Sequence, residues 1–361
     1  MTIFKKLAKF IVVVLVVVWT KPLWESPVEN FTTQLFGENL SFSRMQDQAT
    51  SLFDSIVDNS ADDEQSRTKA LELSQPEDQT FSVGNIEIGD SKEEIEQTYG
   101  EPKRETTNEY GLKWASYHEN YQNFLMVAYD QEDIVQGLYT NQDMIASQND
   151  ISLGSTKSEV HKKLGETEST IAHNGFNMQI NSDGEYDVYR IDGNYVTIFY
   201  DEHDNDEVTA MQIVAEPLET SKSSLYADAS DALKEGFEYQ LFDITNAERS
   251  RRGLNVLDWN EEVKKTARKH STDMAVNHYF DHTNQQGQSP FDRMQADGIT
   301  FISAGENLAQ GQTSSIFAHQ GLMNSEGHRK NIVNEDFTEL GVGVDFNEDN
   351  QPFYTENFLS R

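Results

Sequence analysis

Two short blocks and one isolated histidine in the last third of the chain carry residue types that could do chemistry together. Gly-Glu-Asn-Leu-Ala spans 305–309, Ser-Glu-Gly-His-Arg spans 325–329, and His282 lies upstream in Phe-Asp-His-Thr-Asn. They suggest one site holding two imidazoles, His282 and His328, and the carboxylate of Glu306. The sequence has no cysteine, which leaves His, Asp and Glu as the only strong metal donors and forbids a disulfide framework. Two other histidines read differently. His278 and His282 are four apart, as in a zinc-protease helix, but Tyr279 stands where that motif needs its catalytic Glu. His270 shares a helical face with Val263, Ala267 and Met274, and so reads as a core residue.

The elements that must position these side chains are legible around them. A helix is expected to end near Arg252, with Phe237, Leu241, Ile244 and Glu248 at helical steps and Gly253 as its stop. Asn260 caps a second helix. Ser289-Pro290 opens a third with Pro in its first turn and leaves His282 on the loop before it; Asp292 and Arg293 serve that helix and loop structurally. Leu340, Val342, Val344 and Phe346 alternate with Gly341, Gly343 and Asp345. They predict a hairpin with Phe353 to Phe358 that has one packed face.

Upstream, a repeat organises about residues 81–216, in two copies at about 84–150 and 151–216. Ile88-Gly89-Asp90-Ser91-Lys92 matches Leu153-Gly154-Ser155-Thr156-Lys157, and Tyr99-Gly100-Glu101 matches Leu164-Gly165-Glu166. Each copy predicts a capped helix stopped by Gly, then a small antiparallel sheet. A polar stretch at 217–234 links this region to the last domain, 235–361. Residues 25–80 are polar and acidic, an expected tether with a short helix near Met45 to Val57. Residues 1–24 carry Lys5, Lys6 and Lys9 before an apolar run. That pattern predicts export, as an uncleaved signal anchor or, if cut, a signal peptide.

At 361 residues the chain is long enough for two cores. Its formal charge of −34 repels phosphate backbones and excludes nucleic acid as a partner; it suits a solvated surface on the outer side of a membrane.

Six blocks in order carry a family resemblance. His-Thr (282–283), Ser-Pro-Phe-Asp-Arg (289–293), Gly-Glu-Asn-Leu-Ala (305–309), Ser-Glu-Gly-His-Arg-Lys-Asn-Ile (325–332), Leu-Gly-Val-Gly-Val (340–344) and Tyr-Thr-Glu-Asn-Phe (354–358) resemble the bacterial CAP superfamily, the group of cysteine-rich secretory, antigen 5 and pathogenesis-related proteins. The repeated region resembles the domain found before some secreted bacterial CAP domains. The resemblance implies an α+β protein: a C-terminal α-β-α sandwich preceded by a duplicated small α+β domain and a membrane segment. It also implies a cleft lined by two His and two Glu, in which some members bind zinc.

Carried over by motif, His282 and His328 are the imidazoles and Glu306 the first carboxylate, with Asn307 beside it. The second Glu falls near Ser325, with Glu326 one residue away, and Leu322 stands where relatives often have Trp. Two neutral imidazoles with open positions suit Zn2+ or another divalent cation, and Glu306 would orient an imidazole or hold a water. The same residues allow a structural reading, in which Glu306 and Asn307 tie down a loop and His328 caps a helix ending near Gly327. The functional expectation is a binding module for a lipid, peptide or cell-wall ligand. The alternative is a metal-dependent hydrolase of peptides or wall material, and a structural envelope protein is a third possibility.

Overall fold

The chain begins its first described sheet with a short strand, β1 (Phe81–Val83), in a computed structural model that describes residues 71–361. The expected anchor, most of the tether and the helix at 45–57 lie outside the described residues. Among the described residues no helix is long and apolar enough to cross a membrane. Residues 77–79 are pinned to the Glu87 carboxylate through their backbone N–H groups.

After β1 come α1 (Lys92–Tyr99), β2 (Arg104–Thr107), β3 (Lys113–Glu119), β4 (Gln122–Tyr129), β5 (Val135–Thr140) and β6 (Ile145–Ser147). There follow α2 (Lys157–Leu164), β7 (Thr170–Ala172), β8 (Asn177–Gln179), β9 (Tyr186–Ile191), β10 (Asn194–Asp201) and β11 (Glu207–Ala215). The two helices form for the same local reasons. Ser91 caps α1 by accepting from Glu94 N–H, and Thr156 closes a capping box with Glu159 at α2. Gly100 and Gly165, at φ 73° and 83°, take the backbone past each helix end. Each N-cap then makes an antiparallel bridge beside the last long strand of its segment, Ser91 with Ile134 just before β5 and Thr156 with Glu207 at the start of β11.

Each copy was expected to contribute a helix and a small antiparallel sheet, the two pairing in one α+β domain; seven of the strands join in one sheet, ordered β2-β3-β4-β5-β11-β10-β9, while β1 pairs with β6 and β7 with β8. The reason lies at the seam, where β5 and β11 pair antiparallel from Thr140–Met211 to Gly137–Val214. Joining there leaves no inner edge of either half with unpaired backbone groups. Ile95 and Val160 of the two helices bury into one face of this sheet with Leu125, Leu138, Ile198 and Ile213.

The remaining elements are α3 (Glu216–Thr220), α4 (Asp231–Arg251), β12 (Asp258–Trp259), α5 (Glu261–Asn277), α6 (Pro290–Ala296), β13 (Ser303–Gln310), α7 (Ser315–Asn324), α8 (Glu326–Ile332), β14 (Glu339–Phe346) and β15 (Pro352–Ser360). Four strands make a second sheet, ordered β12-β14-β15-β13. Leu340, Val342, Val344, Tyr354 and Phe358 cover its one face together with Phe237 and Leu241 of α4 and Leu322 of α7. The other face lies under α5, where Val263 packs on Leu359. This is a helix–sheet–helix sandwich of mixed α+β class.

The β14–β15 hairpin was expected to pack on one face only. Both faces are covered, because the glycines that alternate with the hydrophobes admit the α5 backbone: a Cβ on Gly341 would stand 2.2 Å from Lys264 N, and one on Gly343 1.9 Å from Arg268 N. Helix α4 is likewise buried on more than the one stripe its apolar spacing marks. Phe237 and Leu241 face the four-stranded sheet, while Ile244 and Ala247 pack on Trp114, Met126 and Tyr139 of the seven-stranded sheet. The described residues, 71–361, therefore belong to one compact unit.

Candidate functional site

Glu306 and Asn307 are consecutive residues of β13, the outer strand of the four-stranded sheet. Successive strand residues point to opposite faces. Glu306 accordingly meets the loop and helix on one side, and Asn307 meets α8 on the other. The site straddles this sheet edge.

On the first side, His282 Nδ1 donates to Glu306 Oε1 at 2.9 Å. The other carboxylate oxygen accepts from Arg293 Nη2 at 2.5 Å, and Arg293 Nη1 also donates to the His282 carbonyl at 2.7 Å. Pro290 and the Ser289–Asp292 capping box fix the first turn of α6 that carries Arg293. One guanidinium therefore holds both the carboxylate and the histidine's backbone. Glu306 has 1% of its side chain exposed against 50% for His282, so the imidazole reaches outward from a buried anchor. Its hydrogen bond to Glu306 raises the His282 pKa above the ordinary value, burial opposing.

On the second side, His328 lies inside α8, at its third residue, and not at a helix end near Gly327; α7 stops at Asn324 and α8 restarts at Glu326. The His328 Nδ1 is 2.8 Å from Ser325 Oγ. Burial first, and then the charge of nearby His282, lowers the His328 pKa, so this imidazole is neutral at pH 7. Asn307 Nδ2 donates to the His328 carbonyl at 3.2 Å, and Asn331 Nδ2 donates to Glu306 O at 3.2 Å and Asn307 Oδ1 at 2.9 Å. Gly305 makes room for that bridge, since a Cβ there would sit 2.7 Å from Asn331 Oδ1.

The structure thus brings together His282, Glu306, Asn307, Ser325 and His328. It does not bring in Glu326, whose carboxylate is 75% exposed and paired with Lys330 at 2.7 Å. Leu322 is buried in the core beneath α7. Residues 305–309 form a strand and not a loop, and Glu306 binds side chains where the structural reading had it tie down backbone donors.

Three participants escaped the sequence reading. Arg293 was assigned to its own helix and loop. Thr245 was passed over in α4. Glu356 lies directly across from Asn307 in the β13–β15 pairing, accepts from Asn307 Nδ2 at 3.0 Å and from Thr245 Oγ1 at 3.1 Å, and is fully buried; burial raises its pKa to about 7. The available signal was an acid in the same phase as Tyr354 and Phe358, on a strand whose alternate residues face the core.

Chemically, each Nδ1 is held, that of His282 by Glu306 and that of His328 at Ser325, and among the described residues neither Nε2 makes a hydrogen bond. Neutral imidazole nitrogens are donors of the type a divalent cation takes, and His282 and His328 are the residues that could supply them. Among the described residues no three His, Asp or Glu converge as a metal cluster. Both Glu306 oxygens are already engaged, which leaves that carboxylate to orient His282.

The model of the CAP-associated N-terminal domain matches residues 88–225, and that of the cysteine-rich secretory protein family matches residues 242–358. The Bacillus subtilis protein YkwD is 38% identical over 40% of this chain, a match that spans 55% of YkwD's own length. The Bacillus subtilis membrane protein YlbC is 28% identical over 76% of this chain and 82% of its own. A solved extracellular SCP-domain protein from Bacillus anthracis has a TM-score of 0.66 and 27% identity, over 82% of this chain and 99% of that one. A Staphylococcus aureus cysteine-rich secretory protein has a TM-score of 0.62 at 14% identity, over 81% and 99%, a likeness of fold. With a matched associated domain, a matched secretory-protein domain and the same architecture in solved bacterial relatives, this chain belongs to the CAP superfamily.

Proposed function

We propose that the protein is an extracytoplasmic, membrane-tethered binding module whose His282–Glu306–His328 site takes a peptide, lipid or cell-wall ligand. The observation that carries this reading is the pair of imidazoles held at Nδ1, with no hydrogen bond at Nε2 among the described residues, beside a carboxylate that is fully occupied. Such a pair presents hydrogen-bonding positions, while the one carboxylate beside it is held by His282 and Arg293 and is not free to activate a water, which favours capture over turnover. The basic and apolar N-terminus, the acidic stretch before residue 81, and the likeness to YlbC, itself called a membrane protein, support the anchor and tether. The matching caps, glycine stops and strand bridges of α1 and α2 support a duplication within residues 81–216.

A metal-dependent hydrolase is the second reading, favoured only by the two free imidazole nitrogens. Calorimetry with Zn2+ and peptide or wall substrates separates the two. Capture without turnover, lost on His282→Ala with His328→Ala and on Glu306→Gln, is the expected result; retention by those variants sinks the binding reading. If Zn2+ binds, its affinity should be greater at about pH 8 than at about pH 6, because the raised His282 pKa keeps that ligand protonated at the lower pH. Turnover that depends on the bound metal would favour the hydrolase.

A further inference from the structure

The turn between β10 and β11 and the end of α4 line a cavity of about 270 Å³, where the associated domain meets the helix shared by both sheets. Charges of both signs stand on its wall. Arg251 and Arg252 supply the positive side, with 23% and 31% of their side chains exposed. Arg251 Nη2 donates to Thr209 Oγ1 at 3.1 Å, and Arg252 Nη2 lies 3.5 Å from Asp201 Oδ2. Thr209 and Asp201 are themselves wall residues, which places both guanidiniums at the cavity. Glu207 and Asp204 supply the negative side. A Cβ on Gly154, another wall residue, would stand 3.8 Å from Glu207 Oε2, and the exposed Asp204 is folded back by its N–H, which donates to the Asp201 carbonyl at 3.0 Å. Glu207 and Thr209 are two positions apart at the start of β11, about 7 Å by the rise of a strand.

The two sides are not paired with each other. Three guanidiniums, of Arg251, Arg252 and Arg329, share the two carboxylates of Glu248 and Asp201, which leaves one positive charge in excess at the inner wall. Among the described residues no cation is in salt-bridge contact with Glu207 or Asp204. A lone anion drawn to the arginines would meet these two carboxylates, and a lone cation drawn to the carboxylates would meet the guanidiniums. A molecule that carries both charges satisfies both walls. The smallest such molecule is an α-amino acid, whose ammonium and carboxylate, each extended by a hydrogen bond of about 2.9 Å, span a gap of this size. The volume agrees, far above the ~30 Å³ share of one water and just under the ~300 Å³ at which drug-sized pockets begin.

We propose that this cavity binds a small zwitterion of the α-amino acid class, its carboxylate on Arg251 and Arg252 and its ammonium on Glu207 and Asp204. The site includes neither His282 nor His328, and it does not rest on the ligand proposed for that pair. It borders the ion pair of Asp201 with Arg329, so an occupant adjoins the contact that holds α8.

The test is NMR of the arginine Nε–H groups in the full-length chain titrated with L-alanine, with propionate, ethylammonium and Ca2+ as comparators that carry one sign of charge each. The Nε–H groups of Arg251 and Arg252 are both held on Glu248, which slows their exchange with water. The expected result is a saturable movement of both resonances with alanine and none with any comparator at equal concentration. Glu207→Gln with Asp204→Asn should weaken alanine binding at least tenfold, whereas His282→Ala with His328→Ala leaves it in place, which keeps this result distinct from the fate of the binding-module reading. No saturable movement, an equal movement with any comparator, or undiminished affinity in the Glu207 and Asp204 variant overturns the proposal. If that double variant does not fold, the exposed Asp204→Asn alone replaces it, and alanine affinity unchanged in it overturns the proposal as well.

Discussion

Glu356 shows how a single residue can matter to the site without reaching its surface. Its two oxygens take hydrogen bonds from Asn307 and Thr245, and Asn307 in turn holds the His328 carbonyl and Asn331. Among the described residues no cation is paired with it, and burial lifts its pKa from 4.5 to about 7 against these two hydrogen bonds. Between those two values the folded state holds a proton that the unfolded state has lost. Stability is therefore highest at the acid end of that window and declines as pH rises through about 7. Glu356→Gln cannot ionise and removes this decline. Relative to wild type, the variant should gain on the order of a few kcal/mol between about pH 5 and pH 8. Urea melts at the two pH values measure it, and parallel curves for the two proteins would refute it. The sequence marks Glu356 only by its phase in a strand, because the cost of burying an acid depends on partners from α4 and β13 that lie far away in the chain.

At the scale of elements, two glycines of β14 decide how closely α5 can approach the sheet. Gly343 faces backbone atoms of Ala267 and Arg268, so a Cβ has no flexible neighbour to displace. Gly343→Ala should cost about 2–3 kcal/mol or more, the upper range for overpacking. Gly327, inside α8 and with open space around it, is the contrast. Gly327→Ala should raise stability by about 0.5–1 kcal/mol, as helix propensity alone dictates. Chemical denaturation of both variants checks the pair, and equal effects would remove the close-approach argument. The alternation of Leu340, Val342 and Val344 with these glycines was legible, and so was the strand. What the alternation did not reveal was that the glycine face is packed too, since the absence of a side chain looks the same under a helix as under water.

At the scale of the molecule, the last residue of β10 reaches the helix pair that carries His328. Asp201 binds both terminal nitrogens of Arg329 at 2.7 Å, and Arg252 stands 3.5 Å away. Next to it, Glu202 N–H donates to Asn324 Oδ1, and Asn324 Nδ2 donates to the Tyr200 carbonyl. The CAP-associated domain thus grips α7 and α8 on either side of Ser325. Both partners of the ion pair are mostly buried, with 8% and 16% exposure. Asp201→Asn leaves the Arg329 guanidinium facing a neutral partner, while Arg252 keeps Glu248, and should destabilise the protein by roughly 3–5 kcal/mol, the cost of breaking a buried pair from one side. Nuclear magnetic resonance of the His328 ring should show its surroundings altered in the same variant. An unchanged melting temperature and an unmoved His328 resonance would mean that the two domains only touch.

The sequence by itself determined the local parts: the caps and glycine stops of α1 and α2, the helical faces of α4 and α5, the strands of the last hairpin, and the His282, Glu306 and His328 trio. Each of these depends on residues within a few positions of one another, or on blocks whose order is kept. Only the tertiary structure decided that the two units join edge to edge through β5 and β11, that α4 is shared between both sheets, that Arg293 and Glu356 complete the site, and that Glu326 stays outside it. Those outcomes turn on which groups lose water together. Burial and pairing are properties of segments distant in sequence, as with Arg329 and Asp201, and no local pattern of residues encodes them.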